Sequence, residues 1–171
     1  DITLLFGRKV RIKETSQIIE ELEALYQAGW RDSVFFVDDN FTIHARHLKE
    51  ELLPAVKSWM DAHNHPFIFN TQASVNMSDD PELMNMMVKS GFVKVFVGIE
   101  TPHEASLGEC SKHHNMNRNL LDSVSRIIHA GLEVQGGFIL GFDSDPRSIF
   151  DDLIEFIQKS SIVTAMVGLL N

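Results

Sequence analysis

The sequence predicts an α/β fold built on a parallel sheet, and three observations carry that expectation. Segments with helical periodicity alternate with short apolar runs rich in Val, Ile and Phe, an order that favours parallel strands joined by right-handed crossovers. The helices end on a repeated small-Gly-large junction: Ala28-Gly29-Trp30, Ser90-Gly91-Phe92 and Ala130-Gly131-Leu132. The apolar runs end in acidic, polar or glycine-bearing tips, so one rim of the sheet collects them, and α/β proteins bind ligands at that rim.

A short, partly basic lead (Arg8, Lys9, Arg11, Lys13) precedes the first helix, where Ile18, Ile19, Leu22, Leu25 and Tyr26 recur at helical spacing and Gly29 can cap the end. Val34-Phe35-Phe36-Val37 is a continuous apolar run, the pattern of a strand buried on both faces, and it stops at Asp38-Asp39-Asn40. Leu48, Leu52, Leu53, Val56, Trp59 and Met60 mark a second helix, which Pro54 should kink or restart because it lacks an N–H. Phe67-Ile68-Phe69 is the next strand and runs out at Asn70-Thr71-Gln72. Asp79 or Asp80 ahead of Pro81 suits a helix start, and that helix carries Leu83, Met87 and Val88.

Val93 to Ile99 forms a strand with Glu100-Thr101-Pro102 at its tip, followed by a polar loop holding Cys110, His113 and His114. Leu120, Leu121, Val124, Ile127 and Ile128 mark a helix, and Val134 to Leu140 a strand with Gly136, Gly137 and Gly141. A helix opened by Pro146 is expected to bury Ile149, Phe150, Leu153 and Ile157, and Ile162 to Leu170 closes the chain as strand. An array that begins with a helix lacks its first strand. The opening Asp1-Ile2 and the apolar close at Leu170-Asn171 read as an excerpt of a longer protein, with residues 1–171 forming one partial-barrel domain.

With 44% apolar residues, the 171-residue chain has ample material for one core. No apolar run approaches the roughly 20 residues needed to cross a bilayer and no signal-peptide pattern opens the chain, so the expected location is cytoplasmic, without a membrane span. A net charge of -9 argues against an extended nucleic-acid face and for a small-molecule ligand. The one cysteine, Cys110, makes no intramolecular disulfide and cannot alone hold zinc or an iron-sulfur cluster.

The polar tips offer chemistry. Adjacent carboxylates at Asp38 and Asp39 can bind a cation or an ammonium group, though Asp, Asn and Thr42 equally suit a helix-capping turn. Glu100 should reach the same rim, with Gln72 a weaker candidate. Glycines inside the apolar strand Gly136-Gly137-Phe138-Ile139-Leu140-Gly141 cost order unless a ligand or another backbone must come close; a bulge is the plainer explanation. Neither a dinucleotide fingerprint, nor a phosphate loop, nor an H-E-x-x-H zinc motif, nor a serine-nucleophile elbow is present, and no metal-binding residues are assigned among the histidines.

Taken together, Phe36-Val37-Asp38-Asp39-Asn40-Phe41, Val97-Gly98-Ile99-Glu100-Thr101-Pro102, Gly137-Phe138-Ile139-Leu140-Gly141-Phe142-Asp143 and Val167-Gly168-Leu169-Leu170-Asn171 resemble the core of radical S-adenosylmethionine (SAM) enzymes, in particular the subgroup with a cobalamin-binding domain ahead of that core. The resemblance implies a partial (βα)6 TIM-like barrel whose first strand is missing here. It implies that Asp38, Asp39 and Asn40 receive the SAM amino group, and that Glu100 meets the ribose or methionyl part. Gly137, Ile139 and Gly141 would lie beside the adenine in a G-x-I-x-G-x-x-E pattern whose last Glu is Ser144 here, while Val167 and Leu169 would line the adenine from the sixth strand. The family's cofactors are SAM and a [4Fe-4S] cluster held by a C-x-x-x-C-x-x-C loop, with cobalamin bound through a separate domain. That loop is not in these 171 residues, so the chain alone is expected to be inactive, a piece of an enzyme that cleaves SAM reductively and acts on an unknown substrate.

Two other readings remain open on the residues alone: a divalent-metal lyase or hydrolase using Asp38, Asp39 and Glu100 as oxygen ligands, and a non-catalytic binding domain. Loss of the first strand should also bare a sheet edge at Val34–Val37, through which copies would associate.

Overall fold

A computed structural model describes residues 7, 11–110, 112 and 115–170; the sequence expectations placed on Arg8, Lys9, His113, His114 and Asn171 lie outside these. The contacts divide the chain into two compact units, Asp1–Arg31 and Asp32–Asn171, taken in turn.

The first unit contains helix α1 (Thr15–Gln27), opened by a reciprocal capping box between Glu14 and Gln17. Its one buried residue is Leu22. At its end the Arg31 guanidinium lies over the Tyr26 ring, 3.6 Å from the centroid.

The second unit is a five-stranded sheet of β1 (Ser33–Phe36), β2 (Ile68–Ala73), β3 (Phe92–Glu100), β4 (Glu133–Leu140) and β5 (Thr164–Leu169). Every neighbouring pair is parallel and the spatial order is the sequence order. Helices α2 (Leu53–Ala62), α3 (Pro81–Lys89), α4 (Glu104–Glu109), α5 (Leu120–His129) and α6 (Ile149–Ser160) fall between the strands, with α3 packed on β3 and α5 on β4. This is the expected partial barrel.

Sequence chemistry accounts for most boundaries. Pro54 sits in the first turn of α2, where its missing N–H costs nothing, and the stretch before it, Leu48–Leu52, winds as a π-turn that buries Leu48 and Leu52. Asp80 accepts from the Leu83 N–H at 3.0 Å and so caps α3. At the end of α5, Gly131 and Leu132 donate to the carbonyls of Ile128 and Ile127, which closes the helix and turns the chain into β4.

The core lies between sheet and helices. Phe36, Phe69 and Phe92 meet with ring centroids 5.2–5.3 Å apart, Phe41 joins them, and Trp59 stacks on Phe67. Val95, Val97 and Ile99 alternate on β3 with half-buried Phe96, Gly98 and Glu100, so one strand face feeds this core and the other lines an open concavity.

Several expectations need correction. The Val34–Val37 run is an edge strand, not doubly buried: Phe35 is 50% and Val37 85% exposed. Asn70, Thr71 and Gln72 do not end their strand but continue it to Ala73: Asn70 and Gln72 are half-buried on one face, and Thr71, buried on the other, donates its hydroxyl to the Phe36 carbonyl. The polar loop after Glu100 contains α4, a helix too short and too poor in periodic apolar residues to be read in advance. The last helix begins at Ile149 rather than Pro146, and Phe150 points outward with 62% of its surface exposed.

Candidate functional site

A cavity of about 350 Å³ opens at the C-terminal ends of the strands, in the size range of small-ligand sites. Of the residues singled out in sequence, Asp39, Gln72, Glu100, Gly137, Ile139 and Val167 line it. It also draws in Ser74, Phe96, Gly98, Lys112 and Met166, which sequence reasoning passed over.

Asp38, Asn40, Gly141 and Leu169 are not among the lining residues. Asn40 has a supporting part: its Oδ1 accepts from Thr42 Oγ1 at 3.0 Å and from the Ser74 N–H at 3.3 Å, which fastens the loop carrying Asp39 to the end of β2. Asp38 is exposed and donates its N–H to the Phe36 carbonyl at 3.0 Å. Gly141 begins the turn after β4, and Leu169 is 75% exposed on β5.

Glu100 is the most constrained residue at the rim. It has φ 68°, and across it the Thr101 N–H donates to the Ile99 carbonyl at 2.9 Å, a γ-turn of the strained kind. Holding a non-glycine residue there costs about 1–3 kcal/mol, and such strain clusters where ligands are bound. The turn breaks the β3–β4 register between Gly98 and Glu100 and folds the carboxylate back over Gly98, where a Cβ would lie 2.7 Å from Glu100 Oε1. Lys112 Nζ meets the same oxygen at 2.7 Å. The floor beneath is bare backbone, since Gly98 pairs with Gly137 and Ile139 with Gly168. A Cβ on Gly137 would lie 2.6 Å from the Phe96 ring.

Asn115, 1% exposed, braces this corner from below. Its Nδ2 donates to the carbonyls of Gly98 and Ile99 at 3.2 and 3.1 Å. The signal for Lys112 and Asn115 in sequence is faint, because both sit in a loop without periodicity.

The family model of the radical SAM superfamily matches residues 5–157. This chain belongs to the radical SAM superfamily. Over 170 residues, 99% of the radical SAM chain, it is 47% identical to an uncharacterized methyltransferase of Synechocystis sp. and covers 32% of that protein. It is 38% identical to the hopanoid C-2 methylase of Rhodopseudomonas palustris, again over 99% of the chain and 32% of that protein. The chain thus spans about a third of the length of these relatives. In fold it is similar to a radical S-adenosylmethionine methyltransferase of Kitasatospora setae solved with cobalamin and a [4Fe-4S] cluster, with a TM-score of 0.75 at 15% identity, covering 95% of this chain and 31% of that one.

The donor set of the radical SAM chain fits an adenosyl amino acid. A zwitterionic head needs both signs of charge, and the lining has the carboxylates of Asp39 and Glu100 beside the ammonium of Lys112. A flat base needs close backbone, and Gly168 leaves that space open, whereas the Glu100 carboxylate covers Gly98 and the Phe96 ring covers Gly137. A [4Fe-4S] cluster does not fit the residues present. It takes several thiolates, whereas the chain has one cysteine, whose thiol is pushed up by burial and further by the Glu100 carboxylate. Among the described residues no group of three or more His, Cys, Asp or Glu is placed to hold a metal, which leaves the divalent-metal reading without a ligand set. No helix among the described residues is long and apolar enough to cross a membrane.

Proposed function

We propose that this chain is the SAM-binding part of a radical SAM methyltransferase of the cobalamin-associated kind, acting within a longer protein. The observation that carries the reading is the meeting of Asp39, Glu100 and Lys112 above a glycine floor in one cavity. SAM supplies the group to be transferred or activated; the chain binds and orients it. Asp39 faces the ammonium of the methionyl end and Lys112 its carboxylate. Glu100, held by Lys112, accepts from the ribose hydroxyls. The backbone at Gly137 and the Ile139 and Val167 side chains flank the base. Asn40 holds the Asp39 loop, and Gly141 and Leu169 shape the approach from beyond the lining. Methyl transfer is supported by the two relatives named above, one a methyltransferase and the other a methylase by name.

With one cysteine, the chain alone is expected to be inactive, and the thiolates of a cluster would come from residues outside it. Calorimetric titration with S-adenosylhomocysteine tests the reading. Saturable one-to-one binding is expected, weakened about tenfold by Asp39→Asn or Lys112→Met, as loss of a charged hydrogen bond implies. Absence of saturable binding, or wild-type affinity in both variants, would overturn it.

A further inference from the structure

Two carboxylates, Asp145 and Glu109, gather the backbone amides of the turn after β4. The four consecutive N–H groups that follow β4 all end on them. Gly141 and Phe142 donate to Asp145 Oδ2 at 2.9 and 3.1 Å. Asp143 and Ser144 donate to Glu109 Oε1 and Oε2, each at 3.1 Å. The other oxygen of Asp145 accepts from Ser106 Oγ at 2.7 Å, and Ser106 is fully buried in α4. A serine hydroxyl has one proton, so the 3.0 Å contact between Ser106 Oγ and His103 Nδ1 has the histidine as donor. His103, Ser106 and Glu109 are spaced three apart along α4 and its N-cap, hence on one face.

We propose that Ser106, Glu109 and Asp145 are positioning residues that clasp α4 to the turn after β4 and so fix the Glu100 rim against the Gly137–Ile139 wall of the ligand cavity. This inference rests on the SAM-binding reading above. The need for a clasp follows from the sheet. The β3–β4 ladder shifts register after Gly98 and ends at the Glu100–Phe138 pair, so the tip of β4 has no β3 partner beyond that point. Helix α4 starts four residues after Glu100 and ends at Glu109, and therefore spans from one rim to the other. Bonds to a carboxylate are stronger than neutral ones, and two carboxylates on four successive N–H groups leave the turn a single arrangement. Ile139, two residues ahead of that turn, lines the cavity. The Glu109 carboxyl is held below the usual glutamate range by the Asp143 and Ser144 N–H groups, so it is ionised when the clasp is made.

Site-resolved amide exchange and titration with S-adenosylhomocysteine on this chain test the proposal, using Glu109→Ala, Glu109→Gln, Asp145→Asn and a control, Asp151→Asn, on α6. A carboxylate has two acceptor oxygens, a carboxamide one and a methyl none. Exchange at Asp143 and Ser144 should therefore quicken in Glu109→Ala and recover at one of the two amides in Glu109→Gln. Affinity should follow the same rank, falling about tenfold in the alanine variant and less in the glutamine one. Asp145→Asn keeps one acceptor oxygen, so it should lose either the protection of Gly141 and Phe142 together or the Ser106 bond to α4, and the control neither. Unchanged protection in Glu109→Ala overturns the clasp, and lost protection with unchanged affinity, or Glu109→Gln as weak as Glu109→Ala, overturns its part in binding. If the wild-type chain binds no S-adenosylhomocysteine, the reading of the cavity fails and the positioning role fails with it, whereas a clasp seen in exchange alone would stand as a feature of the fold.

Discussion

If SAM is bound as proposed, stability and binding pull in opposite directions at Glu100. The left-handed turn stores strain that the Lys112 ion pair and the bracing amide of Asn115 offset. Glu100→Gly relieves that strain and removes the carboxylate, so we expect chemical denaturation to report stability within about 1 kcal/mol of wild type, against a clear loss of S-adenosylhomocysteine affinity. Gly137→Ala is the converse. Its methyl group meets the Phe96 ring at 2.6 Å, and we expect a stability loss of about 1–3 kcal/mol with a narrowed cavity, measured by denaturation and titration together. Strand-tip position made Asp39 and Glu100 legible in the sequence, and a glycine inside an apolar strand made Gly137 so. Asp38 and Leu169 fall outside the lining: Asp38 is one residue short of Asp39, and Leu169 shares the face of Val167 two residues further along β5. Lys112 had no pattern to betray it: its role exists only because the chain turns back over Gly98.

Among the elements, the strands and long helices were legible because period and junction agree, as the Asp80 cap of α3 and the Gly131 end of α5 illustrate. What the pattern could not give was which face meets solvent. Phe150 keeps the helical period of α6, yet it is exposed, and β2 carries polar residues because Gln72 lines the cavity while buried Thr71 donates to the Phe36 carbonyl of β1. Acid stability belongs to this level too. Arg118, and beyond it burial working the other way, leaves Asp79 with a lowered pKa, tying the turn before α3 to the start of α5; Glu109 is lowered by the turn after β4. Both carboxyls titrate lower folded than unfolded. Their contribution is therefore complete above the unfolded values, about pH 4, and is lost as pH falls through the folded ones. Thermal melts should be level from neutral to about pH 5 and drop below about pH 4, less steeply in Asp79→Asn and Glu109→Gln. Equal slopes in all three proteins would remove these groups from the account.

For the whole molecule, the sheet has two free edges among the described residues. The sequence pointed to β1, where Phe35 and Val37 are exposed, but all six residues of β5 are exposed and Val163 and Leu170 extend the apolar surface. We expect this chain to self-associate through the β5 edge, with sedimentation showing concentration-dependent assembly that Val163→Lys suppresses; Val37→Lys, on the other edge, should have the lesser effect. A chain that stays monomeric at all concentrations would discard this expectation.

Because spatial order repeats sequence order from β1 to β5, each βα unit finds its neighbour already in place when it leaves the ribosome. Assembly can then proceed by accretion, like courses laid on a wall, with no strand waiting for one not yet made. The cavity cannot grow by such increments: Asp39 arrives with β1 and Val167 with β5, so a nascent chain acquires its sheet gradually, and the pocket proposed for SAM closes only once β5 is in place.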